Sequence, residues 1–370
     1  MKRLTALLIL IPGVISVSGQ AQPFSEPIIF DDSKKKSASV SFADLDNDGD
    51  TDIVVANGRH WPGQNEVFLN DGNTVFSISY DLGDVPSTSY AAEIADFNND
   101  GYPDIAVGND KKPNSLLFSN GKGRFTMQGG FGKEDSNTRN ITVGDIDKDG
   151  DPDILVINRF HENEMCLNDG KGNFDDVRFF GERDDATLNV LILDIDNDGD
   201  NDLILANRNK QQNYIYLNEA MVFDRKIPFG DGNDDTRSIA IADFNGDGFP
   251  DILTGNIQGR NQIFFGDKEM NYQKSIFLSK QKNNTSSVDV ADYDKDGDID
   301  IIIGNAKKQN ILFTNKGNGM QFERLELSNK SFDTYDIRFA DLNGDGYPEI
   351  VESNSDEVNL FYLNTTNKNK

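Results

Sequence analysis

Asp145-Ile146-Asp147-Lys148-Asp149-Gly150-Asp151-Pro152-Asp153 alternates aspartate with other residues around one glycine, and the same pattern, D-x-[DN]-x-D-G-x-x-[DE], occurs seven times in the chain. It starts at Asp44, Asp96, Asp145, Asp194, Asp243, Asp292 and Asp341, at spacings of 52 and then 49 residues five times. One acidic loop would say little. A fixed period held over most of a chain is the signature of a repeat architecture in which each repeat is one supersecondary unit.

Each repeat reads as four short strands. An alternating segment precedes the loop, as in Ile141-Thr142-Val143-Gly144 and Ile239-Ala240-Ile241-Ala242. A continuous apolar run follows it, as in Ile53-Val54-Val55-Ala56 and Ile301-Ile302-Ile303-Gly304, the pattern of a strand buried on both faces. A third strand, as in Val67-Phe68-Leu69 or Ile311-Leu312-Phe313, ends in a glycine turn such as Asn168-Asp169-Gly170. A recurrent aromatic, Phe76, Phe125, Phe174, Phe223, Tyr272 or Phe322, marks the fourth. Four strands repeated seven times predict an all-β fold, a seven-bladed β-propeller of four-stranded blades. The last repeat stops after its third strand, Leu360-Phe361-Tyr362-Leu363, while Pro27-Ile28-Ile29-Phe30 stands alone before the first. That N-terminal strand is expected to complete the last blade and close the ring.

These residues carry a family resemblance. Asp145 to Asp153 and Asp243-Phe244-Asn245-Gly246-Asp247-Gly248-Phe249-Pro250-Asp251 resemble the FG-GAP or VCBS repeats of integrin α-subunit propellers and of many secreted bacterial proteins, over about residues 24–364. Phe131-Gly132, Phe180-Gly181 and Phe229-Gly230 match the Phe-Gly half of the name; the Gly-Ala-Pro half is absent. The resemblance therefore implies the fold rather than integrin-like function.

The loop chemistry is legible without the family. Oxygen ligands at positions 1, 3, 5 and 9 of a tight loop, with Gly at position 6 permitting the turn, make a cage for a hard cation, and position 7 adds its backbone carbonyl. The predicted sets are Asp44, Asp46, Asp48, Asp50 and Asp52; Asp96, Asn98, Asp100, Tyr102 and Asp104; Asp145, Asp147, Asp149, Asp151 and Asp153; Asp194, Asp196, Asp198, Asp200 and Asp202; Asp243, Asn245, Asp247, Phe249 and Asp251; Asp292, Asp294, Asp296, Asp298 and Asp300; and Asp341, Asn343, Asp345, Tyr347 and Glu349. About seven structural Ca²⁺ ions are expected, because so many carboxylates this close repel one another without a cation. Magnesium prefers fewer protein ligands. An EF-hand would need Glu at position 12 between helices, where this chain has Val55, Val107, Val156 or Leu205 inside a strand. Loops with Asn98, Asn245 and Asn343 at position 3 should bind more weakly, and Glu349 alters the last site.

The 370 residues carry a formal charge of −27, which excludes nucleic acid and anionic membrane as generic partners. Lys2 and Arg3, the apolar Leu4 to Val17 and the small-x-small site Gly19-Gln20-Ala21 predict a signal peptide over residues 1–21. Residues 22–370 then form one propeller domain, secreted, periplasmic or at the cell surface, and monomeric. Cys166 is the only cysteine, so no internal disulfide forms; it takes a core strand position as an inert buried thiol.

Loops after strands two and four share the face opposite the acidic loops, and binding residues concentrate on such loops. Asparagines recur there in every repeat, first at Asn57, Asn109, Asn158, Asn207, Asn256, Asn305 and Asn354, then at Asn65, Asn114, Asn163, Asn213, Asn261, Asn310 and Asn359, which favours turn capping. Departures from the period are more informative. Blade one inserts three residues here and holds Arg59, His60, the only Trp, Trp61, Pro62 and Gly63. Arg159, Arg208 and Arg260 occupy equivalent loops, and with Arg59 and Trp61 they form the candidate ligand site. The leading expectation is a binding or adhesion module for an extracellular glycan or protein. A polysaccharide lyase acting on an anionic polysaccharide is the alternative, with His60, His161, Tyr90, Tyr335, Arg139 and Arg237 as its only cast and the arginines placed in the connections from strand four to strand one. The two histidines lie two blades apart, and no tight motif joins them to a Tyr or Arg. A purely structural envelope or matrix protein is the third possibility.

Overall fold

Alternation within the second strand of each blade builds the core. In blade one this strand, Asp52–Asn57, sends Val54 and Ala56 against Ala92, Ile105 and Val107 of blade two, while Ile53 and Val55 pack on Leu342, Val351 and Phe361 of blade seven. A strand flanked by a blade on each side has no polar face, which is why its residues are buried throughout. Each such Val or Ile contributes about 1.5–3 kcal/mol by burial.

These relations come from a computed structural model that describes residues 22–233 and 235–369. The expected signal peptide, residues 1–21, lies outside them. Twenty-eight strands are found among the described residues, in repeated four-stranded antiparallel blades of a β-propeller. Blade one comprises Ser37–Ala43, Asp52–Asn57, Gly63–Leu69 and Ile78–Ser87. The first strands of the blades, among them Ser89–Ala95, Thr138–Gly144, Thr236–Ala242 and Phe332–Ala340, stand side by side around the centre, and Ser37–Ala43 contacts both Ser89–Ala95 and Phe332–Ala340.

The last blade, Phe332–Ala340, Glu349–Asn354 and Asn359–Tyr362, takes Ile28–Asp31 as its fourth strand, with Ile28 opposite Phe361 and Ile29 opposite Leu360. Phe24 is buried against Tyr293, ring centroids 5.3 Å apart, and Phe30 meets Phe68 of blade one edge-on at 5.3 Å. Asn70, at the end of the third strand of blade one, donates its Nδ2 to the Leu342 carbonyl of blade seven at 2.6 Å. Asn168, Asn315 and Asn364 make the equivalent bond to the preceding blade at 2.9 Å each.

The asparagine pairs cap turns, as their recurrence suggests: Asn57 N–H donates to Asn65 Oδ1 and Asn354 N–H to Asn359 Oδ1, both at 2.8 Å. Blades meet so closely that a Cβ on Gly108 would lie 2.9 Å from Thr138 and Ile141 side-chain atoms, so no larger residue fits. Cys166 is fully buried and burial pushes its thiol well above the usual range. Cys166 is therefore expected to stay unreactive toward a disulfide thiol reagent in the native protein and to titrate one equivalent in denaturant.

Candidate functional site

At one end of the propeller each acidic loop folds around its own first residue. The Asp44 carboxylate accepts from Asp48 N–H at 3.1 Å and Gly49 N–H at 2.9 Å; Asp96, Asp145, Asp194, Asp243 and Asp292 repeat both bonds, and Asp341 repeats the one from glycine. Gly49 has φ +97°, a conformation that requires glycine. Position 4 is left-handed as well, at Asn47, Asn99, Lys148, Asn197 and Lys295, a strain absent from the sequence reading.

Position 9 does more than the pattern suggests. Asp52 is fully buried, accepting Leu45 N–H at 2.8 Å and Asn70 N–H at 2.7 Å, so it staples the acidic loop to the turn after strand three. The longer Glu349 does the same with Leu342 N–H at 3.0 Å and Asn364 N–H at 3.3 Å. Burial pushes these carboxyls up despite the backbone donors: Asp52, Asp104, Asp202 and Asp251 to about 6, Asp153 and Glu349 to about 7, Asp300 to about 8. Position 7 points away, with Asp151 accepting from Asn99 Nδ2 and Asp200 from Ala220 N–H.

Among the described residues, carboxylates converge closely enough to hold a metal ion in four loops: Asp44, Asp46 and Asp48; Asp145, Asp147 and Asp153; Asp194, Asp196 and Asp202; Asp292, Asp294 and Asp300. These are the loops with Asp rather than Asn at position 3. Asp46 Oδ1 and Asp341 Oδ1 are buried without a hydrogen-bond partner among the described residues, which fits oxygens available to a cation.

The opposite end holds a cavity of about 160 Å³ at the mouth of the central space. In each of the seven blades one residue of the inner strand is a β-bulge, the second residue in blades one to five and the fourth in the longer strands of blades six and seven, and these bulged residues, Ala38, Tyr90, Arg139, Leu188, Arg237, Ser286 and Tyr335, all line this cavity. A bulge re-aims the side chain that it carries, here inward. Arg139 and Arg237 are thus part of the inner strands, not of the connections before them.

A second tier comes from the loops after strand two. Asp110 is buried, forms an ion pair with Arg139 Nη1 at 2.8 Å and accepts from His60 Nδ1–H at 2.7 Å. An ionised carboxylate only accepts, so His60 Nε2 is left to accept the Tyr90 hydroxyl at 2.9 Å. The pairs to Arg139 and His60 outweigh burial and hold Asp110 below its ordinary value. Arg59 lies over the Tyr335 ring at 4.3 Å and donates to Ser355 Oγ, and Arg237 covers the same ring at 4.0 Å. Arg159 and Arg208 also line the cavity, as do Arg338, Asp336 and Glu93.

A family model described as FG-GAP-like repeat matches residues 44–107, 96–156, 147–205, 194–254, 243–303 and 292–352 in overlapping succession. The chain belongs to the FG-GAP-like repeat family. Among solved structures, this FG-GAP-like propeller is similar to BBS1N in complex with ARL6DN, with TM-score 0.61 and 11% identity over 91% of this chain and 97% of that one. It is also similar to an Agrocybe aegerita lectin recognising non-reducing terminal N-acetylglucosamine, with TM-score 0.58 and 21% identity over 80% and 81% of the two chains. At such identities the likeness is one of fold. No curated protein sequence is matched. No helix among the described residues is long and apolar enough to cross a membrane.

The FG-GAP-like scaffold gathers His60, Tyr90, Tyr335, Arg139 and Arg237 from distant repeats, although no sequence motif connects them. Trp61 and Arg260 stay outside the cavity: Trp61 is 53% exposed beneath Lys36 Nζ, and Arg260 lies over Phe277 of its own blade at 3.4 Å. His161 is exposed and does not line the cavity either. Asp110 was missed by sequence reasoning. It occupies the repeat position of Arg159 and Arg208, one residue after the capping Asn, so comparing repeats with each other could have found it.

Proposed function

We propose that this protein is a secreted, calcium-loaded binding module whose arginine-lined mouth takes an anionic glycan, with carboxylate or sulfate groups seated on the guanidinium groups. The observation that carries the reading is the convergence of Arg139, Arg159, Arg208 and Arg237 on one cavity. Burial, and then the charges of Arg159 and Arg237, hold Arg208 below the ordinary arginine value. Among the described residues, Arg139 pairs with Asp110, whereas none of Arg159, Arg208 and Arg237 forms an ion pair with a carboxylate. Cations that repel one another in a half-enclosed space are stabilised by an arriving anion, and guanidinium groups match carboxylate and sulfate geometry. A positive mouth in a chain of net charge −27 is a local feature, not a general affinity for anions. The lectin relative supports a sugar as the carrier of that charge. Calcium belongs to the opposite end, where the acidic loops hold it for stability.

The test is a binding panel of uronate-containing, sulfated and neutral oligosaccharides. Acidic members are expected to bind with an affinity that falls as salt rises, and neutral ones not at all. Arg208→Ala is expected to weaken acidic binding by about tenfold or more, the worth of one charge-assisted hydrogen bond, with the melting temperature kept. Equal binding of neutral and acidic members would refute the reading.

A further inference from the structure

We propose that the mouth also cleaves the glycan it holds, by β-elimination at a uronate, with Tyr335 as the base and Tyr90 as the acid. This rests on the anionic-glycan reading above. The two tyrosines are bulged residues of blades seven and two, and their ring centroids are 6.4 Å apart. Blade one stands between them and contributes Ala38, the smallest of the seven bulged residues, so the two rings approach across its place.

The blade-one insertion then equips each tyrosine differently. Arg59 reaches Tyr335, which lies between two guanidinium groups, Arg59 at 4.3 Å and Arg237 at 4.0 Å from its ring. His60, from the same insertion, accepts the Tyr90 hydroxyl at 2.9 Å and is anchored by Asp110. The only break in the 49-residue period thus supplies a positive clamp for one phenol and a hydrogen-bonded chain for the other. Their ionisation diverges accordingly. Burial opposes it, but Arg237 and then Arg59 hold the Tyr335 phenol below its ordinary value, whereas burial and then the Tyr335 charge push Tyr90 up. Two titratable groups pushed apart in one cavity are the arrangement of an acid and a base.

Uronates are the substrates that use this pair. Their C5 proton is α to a carboxylate, and the glycosidic oxygen at C4 is β to it. With the carboxylate paired to Arg159 and Arg208, negative charge developing on it is stabilised and the C5 proton becomes more acidic. The Tyr335 phenolate takes that proton. The C–H electron pair becomes the C4=C5 double bond, the C4–O bond breaks, and the departing oxygen receives the Tyr90 proton, which gives up its hydrogen bond to His60 Nε2 for that oxygen. Tyr335 returns its proton to Tyr90 through solvent. One C–H and one C–O bond are exchanged for the second bond of C4=C5 and one O–H, and no oxidant, reductant or metal takes part. His60 and Asp110 are positioning residues.

The full chain in calcium is incubated with polygalacturonate, polymannuronate, polyguluronate and glucuronan, following ultraviolet absorbance of the conjugated double bond. At least one polymer that binds is expected to yield unsaturated ends. Tyr335→Phe and Tyr90→Phe should each lower kcat by about 10²- to 10⁴-fold with substrate affinity kept. His60→Gln should lower kcat without raising KM, whereas a merely structural role would lower the melting temperature of that variant instead. Arg208-dependent binding with no double bond overturns the elimination and leaves the binding reading standing, as does full activity in Tyr335→Phe. Failure of every polyuronate to bind overturns the anionic-glycan reading, and the elimination with it.

Discussion

Excess EDTA is expected to lower the melting temperature by on the order of 15 °C, and calcium to restore it. A site held at ten times its Kd contributes about 1.4 kcal/mol, so seven contribute up to roughly 10 kcal/mol, comparable to the whole stability of a typical domain. The buried staples sharpen the expectation, because Asp52 and its equivalents sit within the fold with folded-state values raised to between about 6 and about 8. A carboxyl raised on folding binds more protons folded than unfolded. The metal-free protein therefore loses stability as pH rises from the ordinary carboxylate value near 4 through about 8. Calcium replaces those protons, so the loaded protein should keep its melting temperature across that window. Differential scanning calorimetry at pH 5 and pH 8, with calcium and with EDTA, checks both parts. Superimposable curves would remove the structural role of the loops, and calorimetric titration counts the sites.

Deleting residues 23–31 is expected to cost on the order of 5 kcal/mol or more and to make the protein associate. The segment carries Phe24, buried beside Tyr293, and Phe30, packed on Phe68, each a side chain whose loss costs about 3–5 kcal/mol when fully buried. It also carries Asp31, which accepts from Asn359 Nδ2 at 2.7 Å. Without Ile28–Asp31 the strand Asn359–Tyr362 becomes an open edge with unpaired backbone groups, a template for pairing with another chain. Light scattering and melting curves of the truncated chain test this. A monomer with an unchanged melting temperature would show that the strand is dispensable.

The two ends of the propeller differ in how far they could be read in advance. An acidic loop is local: nine consecutive residues hold its carboxylates, its glycine and its turn, so pattern and geometry coincide. Even there, the staple role of Asp52 stayed hidden, because its second donor, Asn70 N–H, comes from a different strand. The mouth is assembled from residues of which no two catalytic candidates share a strand. Tyr90, Arg139, Arg237 and Tyr335 are invisible as a group until the bulge turns each inward, and a bulge is set by strand register, not by the residue that it displays. The prominence of Trp61 in the sequence reflected its rarity; the loop that carries it puts His60 in the cavity wall and Arg59 over the Tyr335 ring, and leaves the indole 53% exposed.

The sequence by itself determined the blade count, the four-strand repeat, the acidic loops and the pairing of the two chain ends, because each follows from a period or from short-range chemistry. Only the tertiary structure decided that seven bulged positions face one cavity, that Asp110 joins His60 to Arg139, and that one inserted loop serves two tyrosines. The physical reason is that a ring of blades converts equivalent repeat positions into neighbours around an axis, so contacts across it join residues about 30 to 300 positions apart in the chain.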